Sequence, residues 1–195
     1  MGAPTFDFQT VLTGCLHGDR NCQRRLYEHF YGYGMSICLR YAHHRDEAAA
    51  ILNDGFFKAL QHIGQFDTSK PFRFWLRRIL INTAIDHFRA QHRFAPLEEW
   101  TAAHETAAAE PFDLEIGPDE DALPILQKLS PAYRTVFNLY ILEEFSHQEI
   151  AEMLGISAAA SRSNLTRAKE QLREIWIKVN GRPTTGLLLK NKRNE

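Results

Sequence analysis

The chain has 195 residues, is 44% hydrophobic and carries a net charge of −1, from 23 Lys and Arg against 24 Asp and Glu. That length holds one large or two small domains, and that apolar content is enough to bury a core, which excludes a disordered composition. The net charge conceals segregation: residues 1–95 hold 12 bases and 8 acids, residues 96–120 hold 8 acids and no base, and residues 121–195 hold 11 bases and 8 acids, a distribution that suits a charged partner.

The opening stretch "MGAPTFDFQT" has no basic region followed by an apolar one, so no export signal is expected. Phe6 stands where a myristoylation signal needs Ser or Thr. No apolar run reaches the roughly 18 residues of a membrane span. The expectation is a cytoplasmic protein without membrane insertion. The three cysteines, Cys15, Cys22 and Cys38, are odd in number and lack C-x-x-C spacing. They read as reduced, mostly buried thiols in preference to zinc ligands shared with His17, His29, His43 or His44. No metal and no cofactor are expected.

Leu26, Phe30, Tyr33 and Ile37 step by three or four and predict a helix between Leu26 and Tyr41. Gly32 and Gly34 weaken that helix. From Glu47 to Ile63, positions Leu52, Phe56, Ala59, Leu60 and Ile63 form a second apolar face. "GQFDTSKP", residues 64–71, reads as a loop. "FRFWLRRILINTAIDHFRAQHR" predicts a third helix that offers Trp75, Leu76, Ile79, Leu80, Ala84 and Phe88 to a core. Its density of Arg73, Arg77, Arg78, Arg89 and Arg93 suits a phosphate backbone. Phe72, Phe74 and Trp75 at its start are candidates either for the core or for stacking on unpaired bases, with Trp75 favoured as core. The first block is expected to be an all-α bundle, residues 1–94.

Residues 95–120 contain Pro96, Pro111, Gly117 and Pro118, an alanine-rich patch and only acidic charges. This reads as a flexible acidic linker between domains, because so long a connection is unusual inside one compact domain. The second domain is expected over residues 121–180, with a disordered tail over 181–195. Ser130-Pro131 is an N-cap with proline at the first helical position, and Tyr133, Val136, Phe137, Tyr140 and Ile141 follow at helical spacing. "SHQE", residues 146–149, is a capping box. The short helix it opens, with Ile150, Met153 and Leu154 inward, stops at Gly155. Ser157 caps a further helix whose core face is Leu165, Ala168, Leu172, Ile175, Trp176 and Val179. Short capped helix, turn and second helix make a helix-turn-helix.

The last helix begins "SAAASRSNLTRAK", without acids, although acids normally favour a helix N-terminus. Small Ala158, Ala159 and Ala160 permit close approach. Arg162, Ser163, Thr166, Arg167 and Glu170 lie opposite the expected core stripe. Arginine is the commonest direct reader of guanine, Ser and Thr serve bases or phosphates, and a phosphate backbone would supply the missing negative charge. A solvated basic face is the bland alternative for this helix taken alone.

Over residues 10–178 the chain resembles the extracytoplasmic-function (ECF) sigma factors of bacterial RNA polymerase. "LSPAYRTVFNLYILEEFSHQEIAEMLGIS" with "SRSNLTRAKEQLR" resembles the region that binds the upstream (minus-thirty-five) promoter element. "DGFFKALQHIGQF" resembles the segment that docks on the polymerase clamp helices, and "FRFWLRRILINTAIDHFRAQHR" the segment that melts and reads the downstream (minus-ten) element. The resemblance implies a transcription initiation factor, not an enzyme, with core polymerase and duplex and melted promoter DNA as partners and room for an anti-sigma factor. It assigns Ser157, Ala159, Arg162, Ser163, Thr166, Arg167 and Lys169 to the upstream element. To the downstream element it assigns Asp67, Thr68, Ser69, Lys70, Arg73, Arg77, Arg78, Asn82, Asp86, Arg89 and Arg93. To polymerase it assigns Asn53, Asp54, Phe56, Phe57 and Leu60.

There are departures. Many members have an acidic pair where Ala49-Ala50 stands, a threonine where Ala160 stands and an arginine where Asn164 stands. The first leaves Asp54 as the main docking acid, and the other two bear on promoter preference. A stand-alone helix-turn-helix regulator is the alternative function. It would bind duplex sites without polymerase and would not need the docking helix or Asn82. An enzyme is disfavoured because no Ser/His/Asp order, glycine-rich phosphate loop or H-E-x-x-H motif is present.

Overall fold

The computed structural model describes residues 6–91 and 123–180, which contain helices and no strand. They belong to two compact units that divide near the end of the fourth helix, residues 1–87 and 88–195. The expected acidic linker, its boundaries at 94/95 and 120/121, Arg93 and the tail over 181–195 lie outside the described residues.

The first unit holds α1 (Phe8–Leu16), α2 (Arg20–Tyr41), α3 (Arg45–Gln61), a 3-10 turn (Ile63–Gln65) and α4 (Phe72–Gln91). Each of the first three is started by a local side-chain cap. Asp7 accepts from the Gln9 amide, Asp19 from the Asn21 and Cys22 amides, and His44 Nδ1 from the Glu47 amide. Such caps each satisfy orphan amide donors and are worth about 1 kcal/mol. α1 lies ahead of the first helix expected from the sequence. It buries Val11, Leu12 and Cys15.

α2 runs unbroken through Gly32 and Gly34, because tertiary packing outweighs the roughly 1 kcal/mol propensity loss of one glycine. A Cβ on Gly34 would sit 2.5 Å from Leu52 Cδ1 and 3.3 Å from Leu80 Cδ1. A Cβ on Gly55 of α3 would sit 2.7 Å from Leu80 Cδ2. The missing side chains let α2 and α3 close onto Leu80 of α4.

Phe8, Phe66, Phe72 and Trp75 form an aromatic cluster, with Phe72 at 5.6, 5.2 and 5.4 Å from the other three ring centroids. Phe72 is therefore core, and Trp75 is half-buried at the edge of the cluster. Phe74 points out and is 53% exposed. Ile79 and Phe88, expected inside, are half-buried.

The second unit holds α5 (Leu123–Leu126), α6 (Pro131–Phe137) running into a π-helical turn (Asn138–Leu142), α7 (His147–Leu154) and α8 (Ala158–Asn180). Ser130 caps α6, with Pro131 at its start. The capping box forms: the Ser146 amide donates to Glu149 Oε2 at 2.7 Å, and the Glu149 amide to Ser146 Oγ at 3.3 Å. Gly155 closes α7 in the left-handed region at φ 69°, where only glycine sits without strain. Ser157 Oγ then accepts from the Ala160 amide at 3.0 Å and opens α8.

The core stripe of α8 is Leu165, Ala168, Leu172 and Trp176. Ile175 is half-buried and Val179 exposed, because the 23-residue α8 outruns the short helices packed along it. On α6, Val136 and Phe137 are buried as expected, but Tyr133, Tyr140 and Ile141 are only half-buried, and Arg134, Thr135 and Asn138 are buried instead. The π-turn is the reason for the later positions. The Glu143 amide reaches back five residues to the Asn138 carbonyl, so the α-helical period loses phase there. Met153 and Leu154 are half-buried, whereas Ile150 is fully buried.

Candidate nucleic-acid interface

In the second unit the candidate surface is the first half of α8. No acid occupies its first turn. Ser157, Ala159 and Arg162 are exposed. Thr166 is half-buried and donates its hydroxyl back to the Arg162 carbonyl at 3.2 Å. Arg167 is half-buried and donates from Nη1 to the Tyr133 hydroxyl at 3.3 Å, so its guanidinium is held against α6. Lys169 is half-buried, and burial pushes its ammonium below the ordinary lysine value.

Ser163 differs from the expectation. It is buried, at 6% exposure, and so are Ala160 and Asn164. α8 is packed by α5, α6 and α7, so more than one stripe of it is covered, and Ser163 does not share the exposed face of Arg162.

His147, at the first position of α7, carries no role in the sequence analysis. Its Nδ1 lies 2.9 Å from Ser161 Oγ on α8, and its ring stacks on Tyr140 at 4.4 Å between centroids. Burial first, then the Arg162 and Lys169 charges, push its pKa down to about 4. The ring is neutral at physiological pH.

Along α4, Phe74, Arg78, Asn82, Asp86 and Arg89 step by four, four, four and three and are all exposed. They share one face. Arg73 is exposed and its guanidinium lies 4.8 Å from the Phe74 centroid, a cation–π distance. The Tyr33 hydroxyl donates to the Arg73 carbonyl at 3.2 Å and ties this end of α4 to α2. Arg77 is half-buried. The loop before α4 is exposed from Asp67 through Thr68 and Ser69 to Lys70. Asp67 Oδ1 accepts from the Ser69 amide at 3.0 Å and the Ser69 hydroxyl at 2.7 Å, bonds that hold its carboxyl below the usual range.

The docking candidates divide. Asn53, Asp54 and Phe57 are exposed on the outer face of α3, Phe57 at 62%. Asp54 Oδ2 lies 2.8 Å from His87 Nε2 of α4. Asn53 Oδ1 accepts from the Tyr27 hydroxyl at 2.8 Å, and Lys58 pairs with Asp86 at 3.0 Å. Phe56, offered to polymerase by resemblance, is instead 2% exposed and makes an edge contact with Tyr27 at 5.0 Å. A residue so enclosed cannot meet a partner without unfolding, so Phe56 belongs to the core. Leu60 is half-buried.

Cys15 and Cys38 are buried free thiols, raised by burial to about 11 and about 12, and Cys22 is a half-buried free thiol, also raised. Among the described residues no group of three His, Cys, Asp or Glu could hold a metal ion. No helix among them is long and apolar enough to cross a membrane.

Residues 26–94 match the Sigma-70 region 2 family and residues 122–172 match Sigma-70, region 4. The ECF RNA polymerase sigma factor SigW of Bacillus subtilis is 30% identical over 149 residues, covering 71% of this chain and 80% of its own. A probable RNA polymerase sigma factor, RfaY of Xanthomonas campestris pv. campestris, is 35% identical over 138 residues. That match covers 66% of this chain, and the chain spans only 34% of RfaY. Among solved structures, the sigma factor RpoE in complex with the anti-sigma factor NepR from Bartonella quintana aligns over 80% of this chain and 97% of its own, at 19% identity and a TM-score of 0.46. With region 2 on the first helices and region 4 on the helix-turn-helix, in that order, the chain belongs to the ECF RNA polymerase sigma factors, transcription initiation factors that direct core polymerase to promoters.

Proposed function

We propose that the work of initiation is divided among three surfaces. The outer face of α3, with Asn53, Asp54, Phe57 and the edge of Leu60, docks on the clamp helices of core polymerase. The loop Asp67–Lys70 and the α4 face of Arg73, Arg77, Arg78, Asn82, Asp86 and Arg89 take the melted downstream element, as does Arg93, which lies outside the described residues. The start of α8, with Ser157, Ala159, Arg162, Thr166, Arg167 and Lys169, takes the upstream element as duplex. The domain division at residues 1–94, 95–120 and 121–180 belongs to the same reading. So do action in the cytoplasm, work by binding and not by catalysis, and an anti-sigma factor as a further partner.

The observation that carries this reading is Arg162: an exposed arginine at the acid-free start of the second helix of a capped helix-turn-helix. A phosphate backbone complements such a helix end, and a guanidinium there can reach base edges.

The test is run-off transcription with core enzyme on a library of genomic promoters, followed by permanganate footprinting on the best. Asn82→Ala is expected to leave core binding intact, reduce melting of the duplex promoter, and be rescued by a pre-melted one. Equal loss of core binding would make Asn82 a structural residue. Promoter binding that is unaffected by core polymerase would turn the reading to a stand-alone regulator.

A further inference from the structure

His147 joins three pieces of the second unit. It is the first residue of α7, its ring lies at 19° on Tyr140 of the π-turn, and its Nδ1 bonds Ser161 on α8. Ser161 is fully buried and precedes the exposed Arg162. The hydrogen bond at 2.9 Å is therefore a side-chain tie between the two helices of the helix-turn-helix, one residue from the proposed reader. Apolar burial between the helices is non-directional. A hydrogen bond has a defined direction.

We infer that His147 is a positioning residue for upstream-element recognition: by clamping Ser161 it sets the rotation of α8 and hence the direction in which Arg162 meets the DNA. The inference rests on the assignment of α8 to the upstream element. It gives His147 a role in base preference in addition to any role in stability. Burial first, then the Arg162 and Lys169 charges, keep the imidazole uncharged, and the Tyr140 ring stacks on it. Phosphate contacts fix where a protein lies on DNA, and base contacts specify. A small rotation of α8 would thus erode discrimination before it erodes general affinity.

The experiment uses holoenzyme reconstituted from core polymerase and the full chain. A preferred upstream duplex is selected from a randomised pool, and affinity is compared with a duplex altered at the base pair whose preference Arg162→Ala abolishes. His147→Phe keeps the stack and removes the bond, Ser161→Ala removes the partner, and His147→Asn places an amide near Nδ1. Each of the first two should lower the discrimination ratio about fivefold to tenfold, in line with one lost hydrogen bond. Their double variant should lose no more than either single one, because they break the same contact. His147→Asn should restore part of the ratio. Binding to unrelated duplex should be unchanged in all four. The inference is overturned if His147→Phe and Ser161→Ala keep the wild-type ratio, or if their losses multiply in the double variant. If His147→Phe does not fold, Ser161→Ala alone decides by its ratio. If Arg162→Ala itself alters no preference, it is the assignment of α8 that fails, which separates the two ideas.

Discussion

Phe56 and Phe57 are neighbours in sequence with opposite surroundings, at 2% and 62% exposure. Truncating each to alanine separates packing from docking. Phe56→Ala removes a buried ring that touches Tyr27 edge-on at 5.0 Å. Losses of this kind run to about 3–5 kcal/mol, of which an aromatic pair supplies about 0.5–1.5 kcal/mol. That is a large share of the roughly 5–15 kcal/mol that holds a typical domain folded. Phe57→Ala removes a ring that is largely in water, so stability should change by less than about 0.5 kcal/mol. An aromatic anchor that becomes enclosed by a partner is worth about 2 kcal/mol or more, so affinity for core polymerase should fall by roughly 30-fold. Urea denaturation followed by circular dichroism measures the first quantity, and a competition titration against labelled wild-type protein on core polymerase measures the second. A Phe57→Ala protein that binds core normally would remove Phe57 from the interface. A Phe57→Ala protein as unstable as Phe56→Ala would refute the packing argument.

On α8, Arg162→Ala should cost about 1–3 kcal/mol on the preferred upstream duplex and relax base preference, as a lost base contact does. Arg167 is held by Tyr133, so Arg167→Ala should weaken binding evenly across sequences, and Tyr133→Phe should reproduce part of that loss; filter binding on a panel of duplexes reads both. His147 has a pKa of about 4 in the fold against an ordinary 6.5, so between those values the unfolded chain takes up a proton that the native state refuses. Stability is therefore unaffected above about pH 6.5 and falls as pH drops towards 4, by roughly 1–2 kcal/mol once solvent screening at a half-buried site is allowed for. Urea titrations at pH 7 and pH 4.5 should show a larger loss for the wild-type chain than for His147→Phe, and equal losses would contradict it. Glu144 holds φ 60°, a left-handed conformation that costs a side-chain-bearing residue about 1 kcal/mol, so Glu144→Gly should raise the thermal midpoint by a few degrees in calorimetry, and an unchanged or lower midpoint would refute it.

Elements governed by local chemistry were legible in the sequence. The Ser130-Pro131 start, the Ser146/Glu149 capping box, the Gly155 stop and the Ser157 cap all act within four residues, and all appear where the residues place them. α1 obeys the same rules. Asp7 caps it, and Phe8, Val11, Leu12 and Cys15 stand at offsets of 0, 3, 4 and 7, so nothing tertiary was needed to expect it. Spacing likewise sets Phe56 on the apolar face of α3 and Phe57 off it, as their exposures show; what it does not name is the ring that covers Phe56, Tyr27 of α2, 29 positions away. The burial of Ser163 follows from three helices packing on α8, and the hold on Arg167 comes from a tyrosine 34 positions back. The His147–Ser161 bond spans 14 positions and depends on the turn between them bringing two helices together. The candidate surfaces were thus recognisable in outline, while the state of individual side chains within them was set by contacts remote in sequence.

Leu80 is caught between two helices that present bare backbone to it, at Gly34 and at Gly55. A methyl group on either glycine would press on the end of a leucine side chain, Leu52 or Leu80, which would have to move. The side chains on α4 that face outward take no part in that contact. Arg78 and Asn82 are exposed and can be exchanged for other residues without touching the seat of Leu80, whereas a side chain at either glycine would press on it. The bundle therefore separates what is free to diversify from what is not. On the proposed assignment, a lineage could alter the downstream sequence it accepts by point changes on α4 and keep the α3 face unaltered.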